Sequence, residues 1–279
     1  MNDVGRRLPR VVMTIAVALT TVVYVFPLYW MAVLATQSNS EVFKFPPPLV
    51  PGAFVADNFD RLQQALDIFR VVGNSVYVAV FNTVVVLLVS SLAGYGFSRF
   101  RNAPGHRFLY GSVLLTIFIP PAAGLIPWFV EMRWLGWIDT YWPLILTSAA
   151  SGFAVFWMRQ VIDATIPVDL YDAGRIDGAG DLWIYWRIVL PLIRPGLAAL
   201  AVWTFMMNWS SFLMPLIILN DSDKFTLPLA LNHLNSSVGG GSDVSAVMLG
   251  TTIGVLPVFI AFALATKHFV SGLTAGTVK

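Results

Sequence analysis

Long apolar blocks separated by short polar stretches dominate the pattern of this chain. Six blocks approach or exceed the roughly 20 residues a helix needs to cross hydrocarbon: residues 11–35, 74–97, 108–130, 141–158, 197–219 and 244–269. The third is interrupted by Pro120, Pro121 and Pro127, and Pro27, Pro215 and Pro257 fall inside others. Neighbouring helices can satisfy the backbone groups a proline frees in lipid, so the expectation remains six transmembrane helices. Arg6, Arg7 and Arg10 before the first block resemble the start of a secretion signal. The apolar run is too long for one and no A-x-A site follows, so it reads as a retained span.

Composition agrees with this pattern. Of 279 residues, 57% are hydrophobic and 11% charged, against about 25% charged in soluble domains. The chain is expected to be an all-α integral membrane protein. Without cysteine, disulfides, thiolate metal sites and cysteine nucleophiles are excluded. The net charge of +2, with no basic patch interleaved with aromatics, gives no reason to expect a nucleic-acid partner.

Charge position says more than net charge. Twelve of the 17 Lys and Arg residues fall on one side of the predicted spans: Arg6, Arg7, Arg10, Arg99, Arg101, Arg107, Arg159, Arg175, Arg187, Arg194, Lys267 and Lys279. Lys44, Arg61, Arg70, Arg133 and Lys224 fall on the other. The positive-inside rule makes the first side cytoplasmic. The predicted organisation is a cytoplasmic N-terminus (1–10), a six-span domain (11–269) and a cytoplasmic tail (270–279), both termini inside. Two external loops stand out. Residues 37–73 contain a proline cluster, then helical spacing at 57–69 that suits a helix lying along the membrane surface. Residues 220–243 end in SSVGGGSD, flexible by composition.

No Asp, Glu, Lys or Arg lies deep in a span, which argues against a proton pump or an ion-coupled carrier. Uncharged polar residues do occur there, including Asn82, Thr83, Ser90, Ser91, Asn208, Ser210 and Ser211. His106, His233 and His268 have no partner at metal-ligand spacing, so no metal site is expected. There is no phosphate-binding G-x-x-x-x-G-K-[ST] loop and no catalytic set. The chain is not expected to be an enzyme.

One polar segment does not fit a mere connector. The cytoplasmic loop, about 160–195, contains the stretch DAGRIDGAGDLWIYWRIVLP, residues 172–191. Pro167 is suited to a first helical position, with a short helix expected over 168–176. Asp169 and Asp172 lie near its positive end and Arg175 near its negative end. Gly178 and Gly180 can close it with a left-handed turn. Asp181 can cap a second helix over 182–190, closed by Pro191. The small residues Ala173, Gly174 and Ala179 beside charges suit a knob that docks into another protein's groove; an ordinary surface loop fits the spacing equally well.

The same stretch carries a resemblance. The pattern E-A-A, three residues, G, nine residues, I-x-L-P marks the membrane subunits of binding-protein-dependent ABC importers. Asp172, Ala173 and Gly174 stand at E-A-A, Gly178 at the glycine, and Ile188, Leu190 and Pro191 at the close. Asp replaces Glu and Gly replaces the second Ala. FPLYW, GNSVYVAVFNT, AGYGFSRF and FMMNWSSFLMPL extend the resemblance over nearly the whole chain, towards the MalG-like permeases of carbohydrate importers. Asn208 and Trp209 stand in reversed order relative to that type.

This resemblance implies a type I ABC importer permease fold with a cytoplasmic coupling helix, in a bacterial or archaeal inner membrane. It implies a second, MalF-like permease, two ATPase subunits and an extracytoplasmic solute-binding protein as partners. ATP and Mg would be bound by the ATPase subunits, with no cofactor in this chain. It assigns ATPase coupling to Asp172, Ala173, Gly174, Arg175, Asp177, Gly178 and Ala179. It assigns contact with the binding protein to a loop tip at Ser236, Ser237, Gly239, Gly240 and Gly241. A sugar solute needs hydrogen-bonding groups beside aromatic faces, which makes Asn208, Trp209, Ser210, Ser211, Phe212 and Asn82 candidates for the path. The competing reading is an autonomous facilitator or channel for a neutral solute, against which the coupling-type loop argues.

Overall fold

The computed structural model describes residues 4–237 and 243–275, with no strand among the described residues. In chain order the helices are α1 (Val4–Leu34), α2 (Val55–Ala65), α3 (Ile68–Arg99), α4 (His106–Leu115), α5 (Leu125–Trp134), α6 (Trp142–Leu146) and α7 (Gly152–Thr165). They continue as α8 (Val168–Ile176), α9 (Asp181–Ile184), α10 (Leu190–Leu192), α11 (Arg194–Trp209), α12 (Leu213–Ile218), α13 (Leu227–Ser237) and α14 (Val244–Ala275). Two compact units divide the chain: residues 1–69 with 230–256, and residues 70–229 with 257–279.

α1, α3 and α14 are each long and apolar enough to cross a membrane. α4 with α5, and the helical segment 181–192 with α11, are bent pairs that also reach that length. The expected fourth and fifth spans are not continuous. The fourth is split into α6 and α7 by turns at residues 147–151, where the Thr147 hydroxyl donates to Pro143 O at 2.6 Å. Ser151 then restarts the helix, its hydroxyl accepting from Ala154 N at 3.3 Å as an N-cap. The fifth is split at residues 210–212, upstream of Pro215 in α12. A proline ring crowds the carbonyl four residues earlier, here Ser211, so the turn before it opens.

The first unit anchors the segment that follows α1. Asn58, fully buried on α2, donates to Ala35 O at 2.8 Å and Gln37 O at 2.9 Å. Gln37 donates to Val50 O at 2.7 Å, and Tyr29 to Leu49 O at 2.7 Å. Leu62 lies beneath Gly250, where a Cβ would meet it at 3.3 Å. Arg61 pairs with Asp243 at 2.6 Å. The helical spacing expected at 57–69 is realised as α2 over 55–65, held by a buried asparagine and an ion pair as well as by its apolar face.

The second unit has one core around the 160–195 segment, centred on Met158, Ile162, Ile184, Tyr185, Val189 and Leu200. Another, around Val78, Met132, Leu144 and Ile218, lies towards the opposite charge group. α3 and α7 approach closely at Gly94, where a Cβ would stand 2.8 Å from Arg159 N. Small residues permit such backbone contacts between helices in lipid.

The ion pairs respect the division of charges between two faces. Arg70–Asp223 and Lys224–Asp139 join residues assigned to the outer face. Arg99–Asp181, Arg101–Asp163 and Arg175–Asp181 join residues assigned to the inner one. Asp139, at φ 59°, is the hub of the outer group. Its carboxylate accepts from Lys224 Nζ at 2.6 Å and from Asn220 N and Asp221 N, both at 3.0 Å. The Lys224 ammonium, then these amides, hold its pKa below the usual carboxylate value. A depressed folded pKa gives stability that is full above the unfolded pKa and is lost as pH falls through the folded one. Asp139→Asn is therefore expected to lower the melting temperature at pH 7. The gap to the parent should shrink steadily on acidification below about pH 4, as a thermal-shift series in detergent would record; a gap independent of pH would contradict the linkage.

Candidate functional site

The segment 160–195 folds as a closed knob. α8 begins at Val168, so Pro167 sits at the position before the helix, with extended backbone (ψ 144°), and its carbonyl accepts from Leu170 N at 3.1 Å. At the other end Gly178 N donates to Arg175 O and Ala179 N to Gly174 O, both at 2.9 Å. Gly178 has φ +79°. This is a Schellman close, and it satisfies the last carbonyls of α8. Gly180 has extended backbone and precedes α9; the left-handed turn rests on Gly178 alone.

The second helix differs from expectation at both ends. Asp181 is its first residue, and its carboxylate does not cap. It lies instead between Arg99 at 3.7 Å and Arg175 at 3.4 Å. Pro191 does not end the helix: α9 widens into a π-helical stretch at Tyr185–Val189, and α10 continues through Leu192. Leu190 N donates to Tyr185 O, five residues back. Widening accommodates the missing donor and bulk of Pro191 without breaking the chain direction.

The two faces of α8 separate cleanly. Tyr171 and Gly174 are buried, and Gly174 abuts Ile184, whose side chain a Cβ would meet at 3.2 Å. Gly174 thus serves packing between α8 and α9. The outward face carries Val168, Asp169, Asp172, Ala173, Ile176 and Asp177, with Ile176 87% exposed. Beneath the knob, Tyr95 OH donates to Asp181 O at 3.1 Å, Ser91 and Tyr185 share a hydrogen bond of 2.7 Å, and the Arg99 guanidinium lies 5.1 Å from the Tyr171 ring centre. Burial, above all, pushes the Tyr171 hydroxyl pKa up. Asp163 gathers Arg101 at 2.6 Å, Arg159 at 3.6 Å and the Ser98 hydroxyl. α8 is therefore tied to the ends of α3 and α7, a linkage the linear sequence did not reveal.

A second feature lies where the helices break. A cavity of about 570 Å³ is lined by the interruptions between α4 and α5, α6 and α7, and α11 and α12. Broken helices are common along transport paths, and the volume is that of a small-molecule site. Asn82, fully buried on α3, organises the back wall. Its amide donates to Leu144 O at 3.0 Å, Ile145 O at 2.9 Å and the Ser148 hydroxyl, and its carbonyl accepts from Asn208 at 2.6 Å. It thus satisfies carbonyls near the break between α6 and α7.

Of the expected path residues, Asn208 and Ser211 line this cavity. Asn82 lines a smaller neighbour of about 140 Å³. Trp209 is buried and stacks on Phe205 at 5.8 Å, Ser210 bonds back to Met206 O at 2.7 Å, and Phe212 packs on the core near Ile218. Sequence reasoning missed Trp128, Thr147, Ser148 and Thr226 as lining residues. Thr226 fell in a stretch assigned to an external loop; only its place between a phenylalanine and a leucine-proline pair hinted at burial. Ser236 is exposed on α13 and its hydroxyl donates to Asn232 O at 2.8 Å. Ser237 ends that helix, and Gly239, Gly240 and Gly241 lie outside the described residues.

The family described as "Binding-protein-dependent transport system inner membrane component" matches residues 86–274, which include the knob and most of the cavity. The chain belongs to this family. Its permease character extends along the whole sequence: it is 35% identical over 279 residues to the lactose transport system permease protein LacG of Rhizobium radiobacter, covering 100% of both chains. It is 32% identical over 270 residues to the arabinooligosaccharides transport system permease protein AraQ of Halalkalibacterium halodurans, covering 96% of this chain and 95% of that one. Among solved structures, a chain of a bacterial ABC transporter involved in the import of the acidic polysaccharide alginate superposes with TM-score 0.84 at 20% identity, covering 96% of this permease and 99% of that chain. The fold is that of the type I ABC importer permeases, and the chain is a transport subunit of that class.

Proposed function

We propose that this permease pairs with a second, MalF-like permease to form the path for a sugar or sugar-like solute. Two cytoplasmic ATPase subunits bind below, one of them gripping α8, and an extracytoplasmic binding protein delivers the solute. ATP and Mg are held by the ATPase subunits. Both termini and the α8 knob lie on the cytoplasmic side of a bacterial or archaeal inner membrane, and Ser236, Ser237, Gly239, Gly240 and Gly241 contact the binding protein.

The observation that carries this reading is α8: a short helix with a closed C-terminal end, an outward face and a buried root. Ile176 and Val168 supply apolar contact, 87% and 62% exposed respectively. Asp169, Asp172, Arg175 and Asp177 surround them and set orientation by charge. Ala173 and the Gly178 turn keep the approach close. ATP-driven closure of the ATPase dimer favours one arrangement of the docked helices, and that differential affinity shifts the spans from inward-open to outward-open. Hydrolysis and release reset them. End-to-end relatedness to permeases named for lactose and arabinooligosaccharides supports a carbohydrate as solute.

Co-expression with the genes encoded beside it, followed by purification on this chain, tests the reading. The expected result is a four-chain complex that takes up solute in liposomes only with ATP and the binding protein. Equal uptake by this chain alone, without nucleotide, would establish an autonomous facilitator instead.

A further inference from the structure

Hydrogen-bonding groups left over in the cavity define what fits it. Both Nδ2 hydrogens of Asn208 are engaged, by Asn82 at 2.6 Å and Thr204 O at 2.9 Å, which leaves its Oδ1 open as an acceptor. The Ser148 hydroxyl accepts from Asn82 and keeps its own proton to donate. Ser211 has no side-chain partner among the described residues. Thr226 is 95% buried, counting from its 5% exposure, and its hydroxyl has no partner. A buried hydroxyl without a partner is uncommon in folded proteins. Thr226 lines an open volume of about 570 Å³ together with Trp128. Among the described residues, no lysine, arginine, aspartate or glutamate lines that volume.

We infer that this cavity seats one uncharged sugar unit of the transported solute, with Thr226, Ser211 and Asn208 bonding its hydroxyls and Trp128 covering its apolar ring face. The inference rests on the permease function proposed above and adds that the sugar is uncharged and is held by this chain. Neutral donors and acceptors match hydroxyls in both directions. A carboxylate or phosphate would enter a largely apolar site with no counter-charge, an arrangement that strongly disfavours it. The permease is thus itself a filter for neutral carbohydrate, and selectivity is not confined to the binding protein.

The natural absence of cysteine allows a direct test. In the purified complex, Ser211→Cys is alkylated with a maleimide while lactose, an arabinotriose or alginate oligosaccharides are titrated. Lactose or arabinotriose is expected to slow alkylation at least fivefold, and alginate oligosaccharides are not. Ser210→Cys, outside the cavity, should react equally under all conditions. Added to Ser211→Cys, Thr226→Val should abolish the protection and Thr226→Ser retain it, with melting temperatures confirming that both are folded. No protection by either neutral sugar, equal protection by the acidic ones, or protection that survives Thr226→Val overturns the inference. The complex containing the unsubstituted permease is assayed for ATP-dependent uptake in parallel. Its failure there would sink the permease reading itself, whereas intact uptake with an unprotected cysteine sinks only the seat.

Discussion

Ile176→Asp should separate the ATPase subunits from an otherwise intact permease. Ile176 is 87% exposed at the end of α8, so its replacement removes no internal contact. If it fills a groove on the ATPase, a carboxylate there loses the burial and strands a charge. Truncation of such anchors costs about 2–4 kcal/mol, or roughly 30- to 1,000-fold in affinity. Purification on this chain should then recover the partner permease without ATPase, and ATP-dependent uptake should disappear. The melting temperature of the permease pair should not move. Gly174→Val offers the contrast: its side chain would press on Ile184, part of the inner core, so both coupling and stability should fall. Retained ATPase in the Ile176→Asp complex would show that the exposed tip of α8 is not the anchor.

Asn82→Leu should have the largest effect on stability. The change removes the donor shared by Leu144 O, Ile145 O and Ser148, and the acceptor for Asn208. Each polar group left buried and unpaired costs about 1–3 kcal/mol, and lipid provides no water to replace the partner. Two carbonyls and one amide together imply a loss of several kcal/mol. The expected result is little folded protein in a fluorescence-detected size-exclusion melt, or a transition many degrees lower. Asn82→Asp should be no better and is expected to be worse, because it turns carboxylate oxygens towards two carbonyls. In the double variant with Asn208→Leu the losses should fall short of additive, since the two residues share one bond. Parent-like melting of Asn82→Leu would show that the break between α6 and α7 does not depend on this asparagine.

The sequence revealed α8 to the residue because its rules are local. A proline before the first turn, acids at the start, a base at the end and a glycine at the left-handed turn all act within one short helix and its immediate flanks. The role of Gly174 was less legible. Its smallness is used by Ile184, ten positions away, and no local pattern distinguishes a glycine that meets its own fold from one that meets a partner. The breaks in the fourth and fifth spans were hidden for a related reason. Hydropathy counts apolar residues and does not register that Asn82, on another helix, can replace the missing helical donors at Leu144 and Ile145. Of the residues lining the cavity, Asn208 and Ser211 were legible. Thr226 was not, because a threonine outside an apolar block carries no mark of burial.

The fastening of the knob has a mechanical corollary. Its far end is sealed by two backbone bonds, Gly174 seats it on Ile184, and Asp181 joins Arg175 to Arg99 at the foot of α3. A part so fastened has little compliance. A stroke applied at its tip is carried as a rigid lever to the root of the long helix, with no slack in between to absorb it.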